Sequence, residues 1–239
     1  MLSPLVLVVF FSFGSNQNAT FPVGAITLDW YRVLFENQEF WDGLKNSLVI
    51  TVSVGILSTI VGTSAAMGIT KLKSTKANTV ITALSFPIMM PPLVLALALV
   101  SLYSGLGIRM GVHTVIISHL VFTQPFVIVI VYAQLANFNF ASVDSARDLG
   151  ASPMRSFFDI VLPNIRPTLI GAALIAMAIS LDDFIITFFT IGNGMTLPTL
   201  IWGMMRTSLD PSINALGSLI LFATIGFSAI ALRITKYQG

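Results

Sequence analysis

The sequence predicts an all-α polytopic membrane protein with six transmembrane helices. Of its 239 residues, 55% are hydrophobic and only 9% are charged, and the mean hydropathy is +0.90. Soluble domains usually carry about 25% charged residues. The apolar residues also fall in long blocks rather than alternating with charges, which is the pattern of helices surrounded by lipid.

Six apolar blocks define the predicted spans. They occupy roughly 2–13, 46–70, 77–103, 112–135, 167–190 and 213–232. Most reach the length of about 20 residues that a helix needs to cross a bilayer. The first block is shorter and is not preceded by the basic stretch of a signal peptide, so we expect the sequence to begin within a helix. The sequence has no repeat or appended soluble segment, and we predict one membrane domain over residues 1–239.

The basic residues predict the orientation, because cytoplasmic loops near span ends are enriched in Lys and Arg. Eight of the twelve fall on one side of the predicted spans: Lys71, Lys73, Lys76, Arg147, Arg155, Arg166, Arg233 and Lys236. Only Arg32, Lys45, Arg109 and Arg206 fall on the other side. We therefore expect the first side and both chain ends to be cytoplasmic.

The segment from residue 14 to 43 is then external. It contains Asp29, Trp30, Tyr31, Trp41 and Asp42. Tyr and Trp rings prefer the membrane interface, so this composition favours an amphipathic anchoring stretch over a substrate site.

Three prolines interrupt the third block, at Pro87, Pro91 and Pro92. Proline removes a helical hydrogen bond and clashes with the preceding turn, so we predict a break or kink here. A hinge is a further possibility.

A polar loop at residues 137–166 follows the fourth span. Ser142 is a favourable N-cap, Asp144 places a negative charge in the first turn, and Gly150 suits a left-handed C-terminal position. These residues predict a short helix over 143–149.

A second helix is predicted directly afterwards. Ser152 precedes Pro153, which is favoured at the first helical position, and Pro163 is expected to end the helix. The loop is thus predicted to be a helix, a sharp turn and a helix.

The spacing within this loop resembles the EAA signature of bacterial ABC importer permeases. Asp144-Ser145-Ala146 is followed after three residues by Gly150, and nine residues later by Ile160 and then Leu162-Pro163. The sequence departs from the family only in having Asp-Ser-Ala where Glu-Ala-Ala is common. The alternative is an ordinary amphipathic loop on the membrane surface.

The resemblance implies the fold of a type I ABC importer transmembrane domain and a set of partners. In such permeases the loop is a coupling helix that docks in a groove of an ATPase subunit. The implied docking residues are Asp144, Ser145, Ala146, Arg147, Gly150, Ala151, Leu162 and Pro163. The implied partners are two ATPase subunits, a second homologous permease and an external solute-binding protein. The sequence has no Gly-x-x-x-x-Gly-Lys-Ser/Thr phosphate loop, so we expect ATP to bind the partners and this chain to be neither an enzyme nor a cofactor carrier.

Two adjacent carboxylates, Asp182 and Asp183, lie within the otherwise apolar fifth block. A carboxylate inside a membrane is costly and normally lines a cavity or pairs with a polar partner. Neighbouring side chains of a helix point about 100° apart, so one can face a pathway while the other faces a helix interface. Phe184, Phe188 and Phe189 are candidates for a pathway constriction or for contact with substrate methylenes, and packing between helices is the alternative.

The residues around this pair are similar to those of the second permease of spermidine/putrescine importers. The similar segments are Ser180 to Phe184, Phe188-Phe189, Leu197-Pro198 and residues 211–216, together with Ser118-His119 and Pro125-Phe126. The similarity extends from Trp30 onward. It implies a polyamine cargo, with ferric iron, sulfate or thiamine as alternatives, and a bacterial or archaeal cell membrane.

Two functions of other classes remain open from the residues alone. Paired carboxylates also serve intramembrane enzymes, and an ion-coupled transporter or channel would need no ATPase. His113 and His119 have no acidic or cysteine neighbour at ligand spacing, so we expect no metal site and assign the histidines to helix packing. The sequence has no cysteine, and its net charge of +2 is scattered, which excludes a disulfide framework and a nucleic-acid patch.

Overall fold

The computed structural model describes residues 3–16, 24–207 and 212–236, and the chain is helical over most of these ranges. An isolated antiparallel bridge joins Gly14 and Ile26.

The first six helices are α1 (Ser3–Ser12), α2 (Asp29–Glu36), α3 (Gln38–Ile69), α4 (Ser74–Leu84), α5 (Phe86–Met89) and α6 (Pro92–Gly105). They are followed by α7 (Val112–Ala136), α8 (Ala141–Asp148), α9 (Pro153–Ser156), a π-turn (Phe157–Val161) and α10 (Leu162–Asp182). The last three are α11 (Ile185–Thr190), α12 (Leu197–Thr207) and α13 (Ser212–Lys236).

Four segments are long and apolar enough to cross a membrane, judged by length and composition. They are Gln38–Ile69, Val112–Ala136, Pro153–Asp182 and Ser212–Ile230. Two shorter apolar helices, Ser3–Ser12 and Pro92–Gly105, correspond to the first and third predicted blocks. The predicted all-α membrane fold is confirmed.

The third predicted block is broken by its prolines. Pro87 stands in the first turn of α5, Met90 is extended with ψ of 139°, and Pro92 begins α6. A proline is tolerated in the first turn of a helix because its missing N–H has no intrahelical partner there. The predicted break is confirmed.

The chain forms two compact units. Unit 1 comprises residues up to Ser53 with Pro92–His119 and Ala178–Gly226, and unit 2 comprises Val54–Pro91, Leu120–Met177 and the chain from Phe227. All eight basic residues predicted to be cytoplasmic belong to unit 2, and the four others belong to unit 1. The prediction of a single membrane domain stays a prediction.

The core of unit 1 joins the external segment to the later helices. Its buried residues are Leu34, Phe40, Leu197, Leu200, Ala215, Leu216 and Ile220. In the anchoring stretch, Trp30 Nε1 donates to the Gly14 carbonyl at 2.6 Å, and the hydroxyls of Tyr31 and Ser12 are 2.9 Å apart. Residues 17–23 of this segment lie outside the described residues.

The core of unit 2 is a close crossing of apolar helices. Its buried members are Ala66, Val127, Val131, Leu135, Val161, Ile165, Leu169, Ala172 and Ala176. Gly62 allows the approach of α3 to α7, since a Cβ there would lie 2.6 Å from Val127 Cγ1. Small residues at such crossings let membrane helices pack backbone to backbone.

Candidate functional site

The helix that carries the paired carboxylates ends between them. α10 stops at Asp182 and α11 starts at Ile185, so the prediction of one span over residues 167–190 is wrong. The cause is local: Asp183 Oδ2 accepts the Thr187 N–H at 2.8 Å, a donor that a continuous helix would satisfy with a main-chain carbonyl. A carboxylate that replaces a carbonyl in this way begins a new helix.

Asp183 belongs to a buried polar network. Its Oδ2 also accepts the Thr187 hydroxyl at 3.1 Å and lies 3.3 Å from His119 Nε2. Only 1% of the His119 side chain and 13% of the Asp183 side chain are exposed. The structure therefore places Asp183 in helix–helix hydrogen bonding, the second of the alternatives that the sequence leaves open.

His119 extends this network to α10. Its Nδ1 lies 2.7 Å from Ser180 Oγ, and its Nε2 lies 2.9 Å from Thr187 Oγ1. This placement agrees with the helix-packing role predicted for His119. The sequence analysis missed Thr187, although Ser180 and Thr187 are separated by two helical turns on either side of Asp183, a spacing that indicates a shared face.

Asp182 has different surroundings. It is exposed and lines a cavity of about 510 Å³ in unit 1 together with Leu5, Phe184, Pro198, Ile201, Trp202, Met205, Gly217, Ile220, Leu221 and Thr224. Among the described residues that line the cavity, Asp182 is the only charged one. The remaining lining is almost entirely apolar.

Aromatic rings stand beside this carboxylate. The ring centroids of Phe184 and Trp202 are 5.3 Å apart, and those of Phe184 and Phe188 are 5.4 Å apart. Phe188 also contacts Phe189 edge to face at 5.4 Å. Trp202 was not predicted from the sequence, and a lone tryptophan late in the chain carries no signal that it faces Asp182.

The predicted loop between the fourth and fifth spans is a helix, a turn and a helix, but the first helix begins earlier than expected. α8 starts at Ala141, whose N–H is accepted by Asn139 Oδ1 at 3.1 Å, and Ser142 donates its hydroxyl to the Asn139 carbonyl at 3.0 Å. The prediction of Ser142 as the N-cap is therefore wrong. Asn139 satisfies the free N–H instead, because its side chain precedes the first turn.

Gly150 closes this helix as predicted. Its φ is +90°, its N–H donates to the Arg147 carbonyl at 2.9 Å, and the Ala151 N–H donates to the Ala146 carbonyl at 3.0 Å. These two hydrogen bonds form a Schellman motif, which requires a left-handed residue and therefore favours glycine.

The second helix is capped as predicted but does not end at Pro163. Ser152 Oγ accepts the Arg155 N–H at 3.2 Å, and Pro153 occupies the first turn. The helix then runs through the π-turn, where the Leu162 N–H reaches the Phe157 carbonyl, and continues as α10. The extra residue of a π-turn widens the backbone ahead of Pro163 and relieves the clash that would end an α-helix.

The predicted coupling residues lie together in this segment, where α8 packs against α9 and the π-turn. Asp144, Ser145, Arg147, Gly150 and Pro163 are exposed, and Ala146, Ala151 and Leu162 are half-buried. The turn also presents apolar side chains to its surroundings, with Leu149 90% and Met154 66% exposed. Across the chain that the structure describes, no cluster of three or more metal-ligating side chains is found.

Comparison with known proteins identifies relatives along nearly the whole chain. Residues 40–238 match the family "Binding-protein-dependent transport system inner membrane component". The chain is 28% identical over 242 residues to the spermidine/putrescine transport system permease protein PotC of Shigella flexneri, covering 99% of this chain and 91% of that protein. It is 31% identical over 239 residues to the putrescine transport system permease protein PotI of Escherichia coli strain K12, covering 96% of this chain and 85% of that protein.

A solved structure shares the fold. A chain of the bacterial alginate ABC transporter, in complex with alginate pentasaccharide-bound periplasmic protein, matches with a TM-score of 0.68 at 18% identity. The match covers 98% of this chain and 86% of that one. Together with the sequence relatives and the apolar spans, it leads to one conclusion: this multi-pass membrane protein belongs to the family of binding-protein-dependent transport system inner membrane components.

Proposed function

We propose that this chain is the permease subunit of an ATP-binding-cassette importer that moves a polyamine across a bacterial or archaeal cell membrane. The single observation that carries the choice of cargo is the exposed Asp182 carboxylate in an apolar cavity beside aromatic rings. The polyamine cargoes named for the PotC and PotI relatives support it.

The chemistry of the cavity suits a cationic, aliphatic substrate. Unit charges 4 Å apart attract each other by about 4 kcal/mol at an effective dielectric constant of 20, so Asp182 would hold one ammonium group where lipid-like surroundings could not. Phe184 and Trp202 offer apolar surface for methylenes and ring faces for a cation, and Phe188 extends this surface. A single carboxylate binds weakly, which allows release.

ATP hydrolysis is assigned to two partner ATPase subunits. The partners also include a second homologous permease and an external solute-binding protein that delivers the polyamine. In this proposal the chain performs no covalent chemistry and holds no cofactor of its own.

The loop from α8 to the π-turn is the proposed docking site for an ATPase. Its exposed apolar side chains, Leu149 and Met154, suit a protein groove, and the Schellman turn at Gly150 makes the loop rigid enough to transmit force. Pro153–Asp182 is one continuous helix, so a push on the loop acts directly on the transmembrane segment. Alternating access then follows from ATPase closure.

Reconstitution tests the function. The chain is placed in vesicles with its second permease, ATPase pair and binding protein, and uptake of labelled spermidine, putrescine, sulfate, thiamine and ferric iron is measured with and without ATP. We expect ATP-dependent uptake of the polyamines. Uptake of another solute in their place contradicts the cargo, and uptake driven by an ion gradient without the ATPases contradicts the mechanism.

A further inference from the structure

The imidazole of His119 touches both sides of the interruption between α10 and α11. Nδ1 lies 2.7 Å from the hydroxyl of Ser180, in the last turn of α10, and Nε2 lies 2.9 Å from the hydroxyl of Thr187, in α11. One side chain of α7 therefore bridges the end of one helix and the start of the next.

The hydrogen-bond directions are set by the carboxylate, which only accepts. Thr187 donates both its N–H and its hydroxyl to Asp183 Oδ2, so Thr187 Oγ1 is left to accept from His119 Nε2–H. In a neutral ring Nδ1 then accepts the hydroxyl of Ser180. Every nitrogen of the ring has a partner in this arrangement, and an apolar side chain at position 119 would leave buried hydroxyls with fewer partners.

We propose that His119 is a positioning residue for transport, which holds the interruption between α10 and α11 in one geometry. Asp182 and Phe184 flank the fixed Asp183, so the same contacts set how these two side chains face the cavity. The effect on transport rests on the proposed function, whereas the effect on the geometry does not. The interruption is thus a fixed corner in the chain rather than a free hinge.

A pair of variants separates hydrogen bonding from space filling. His119→Phe keeps a ring of similar size without nitrogens, and His119→Gln keeps an amide nitrogen that can reach the position of Nε2. His113→Gln is the matched control, because His113 stands earlier in the same helix and is exposed. Ser180→Ala removes only the contact with α10 and serves if His119→Phe does not assemble.

Trp202 reports the geometry without any transport. Its ring lies 5.3 Å from that of Phe184, next to the fixed corner, and Trp30→Phe with Trp41→Phe leaves it as the single tryptophan of the chain. In this background we expect the emission maximum and acrylamide quenching of Trp202 to shift in His119→Phe or Ser180→Ala. We expect wild-type values in His119→Gln and His113→Gln. An unchanged Trp202 signal in both His119→Phe and Ser180→Ala overturns the proposal.

Transport kinetics give the second readout. In the assembled transporter, we expect His119→Phe to raise the KM for spermidine uptake by about tenfold, the effect of two lost buried hydrogen bonds, while ATP hydrolysis without substrate is unchanged. His119→Gln should restore most of this loss. Equal KM values for His119→Phe and the wild type overturn the positioning role. A wild-type transporter that moves no polyamine contradicts the proposed function instead, and the Trp202 signal then still decides the geometry.

Discussion

Asp182 and Asp183 are adjacent residues with different surroundings. Asp183 is held by Thr187 and lies beside buried His119, whereas Asp182 opens into the apolar cavity. Neighbouring side chains already diverge by about 100° in a helix, and the end of α10 between them separates their environments further. One carboxylate therefore stabilises the fold while the other is available to a ligand.

Substitution of the two aspartates should separate these roles. We expect Asp182→Asn to reduce polyamine uptake about tenfold or more without lowering the Tm, because it removes the only charge of the cavity lining but no described hydrogen bond. Asp183→Ala should lower the stability by about 1–3 kcal/mol, since buried donors of Thr187 lose their acceptor.

Uptake assays and thermal unfolding of the purified complex measure the two effects. Asp42→Asn is the control, because Asp42 is exposed in the first turns of α3. A variant of Asp182 with wild-type uptake would remove this residue from the pathway. A variant of Asp183 with wild-type Tm would show that the network contributes little to stability.

At the scale of elements, the loop from α8 to α10 depends on two backbone devices. Gly150 adopts φ of +90° to close α8, and the π-turn at Phe157–Val161 carries the next helix past Pro163. Both devices keep a sharply turned segment continuous and hydrogen-bonded. Such a segment can transmit a displacement, as the coupling role requires.

The Gly150 device gives a prediction about coupling. Gly150→Val forces a β-branched residue into a left-handed conformation, at a cost of about 1–3 kcal/mol, and should distort the turn. We expect ATP hydrolysis to continue while polyamine uptake falls, measured on the same reconstituted vesicles.

Gly107→Val provides the control for backbone strain. Gly107 has φ of +66° and, like Gly150, has open space where a Cβ would be. It lies in the loop between α6 and α7, away from the proposed docking segment in sequence, so we expect uptake and hydrolysis to remain linked. Tight coupling in the Gly150 variant would argue against the docking role of the loop.

The crossing of α3 and α7 gives a second prediction at this scale. Gly62→Ala would place a Cβ 2.6 Å from Val127 Cγ1, and Val127 is fully buried with a stiff branched side chain. We expect a loss of about 1–3 kcal/mol in stability from overpacking.

Gly68 is the matched control for that substitution. It lies in the same helix with nothing within 4 Å of its potential Cβ, so Gly68→Ala should be neutral or stabilising. Thermal unfolding of both variants measures the difference. Equal Tm values for the two would show that the helices can separate at Gly62 without loss.

At the scale of the whole molecule, the basic residues divide as the two compact units do. The eight residues predicted to be cytoplasmic all belong to unit 2, and the other four belong to unit 1. The orientation rule counts charges in the sequence, whereas the units come from tertiary contacts. Their agreement supports the predicted orientation with the loop at residues 137–166 in the cytoplasm.

Single cysteines can test this orientation, because the natural sequence contains none. Ile26 is 87% exposed and Leu149 is 90% exposed, so a cysteine at either position should be accessible to a reagent on its own side. We expect a membrane-impermeant maleimide to label Ile26→Cys in intact cells, and Leu149→Cys only after permeabilisation. Labelling in the reverse pattern would invert the topology.

The sequence by itself determined the membrane class, the apolar blocks, the proline break in the third block and the turn at Gly150. These features follow from composition and from backbone rules that act over a few residues. Only the tertiary structure decided that Asp183 is buried, that Asp182 faces a cavity with Trp202, and that a π-turn accommodates Pro163. The physical reason is that a side chain's partners on other helices depend on how those helices pack, and hydropathy along the chain does not specify that register.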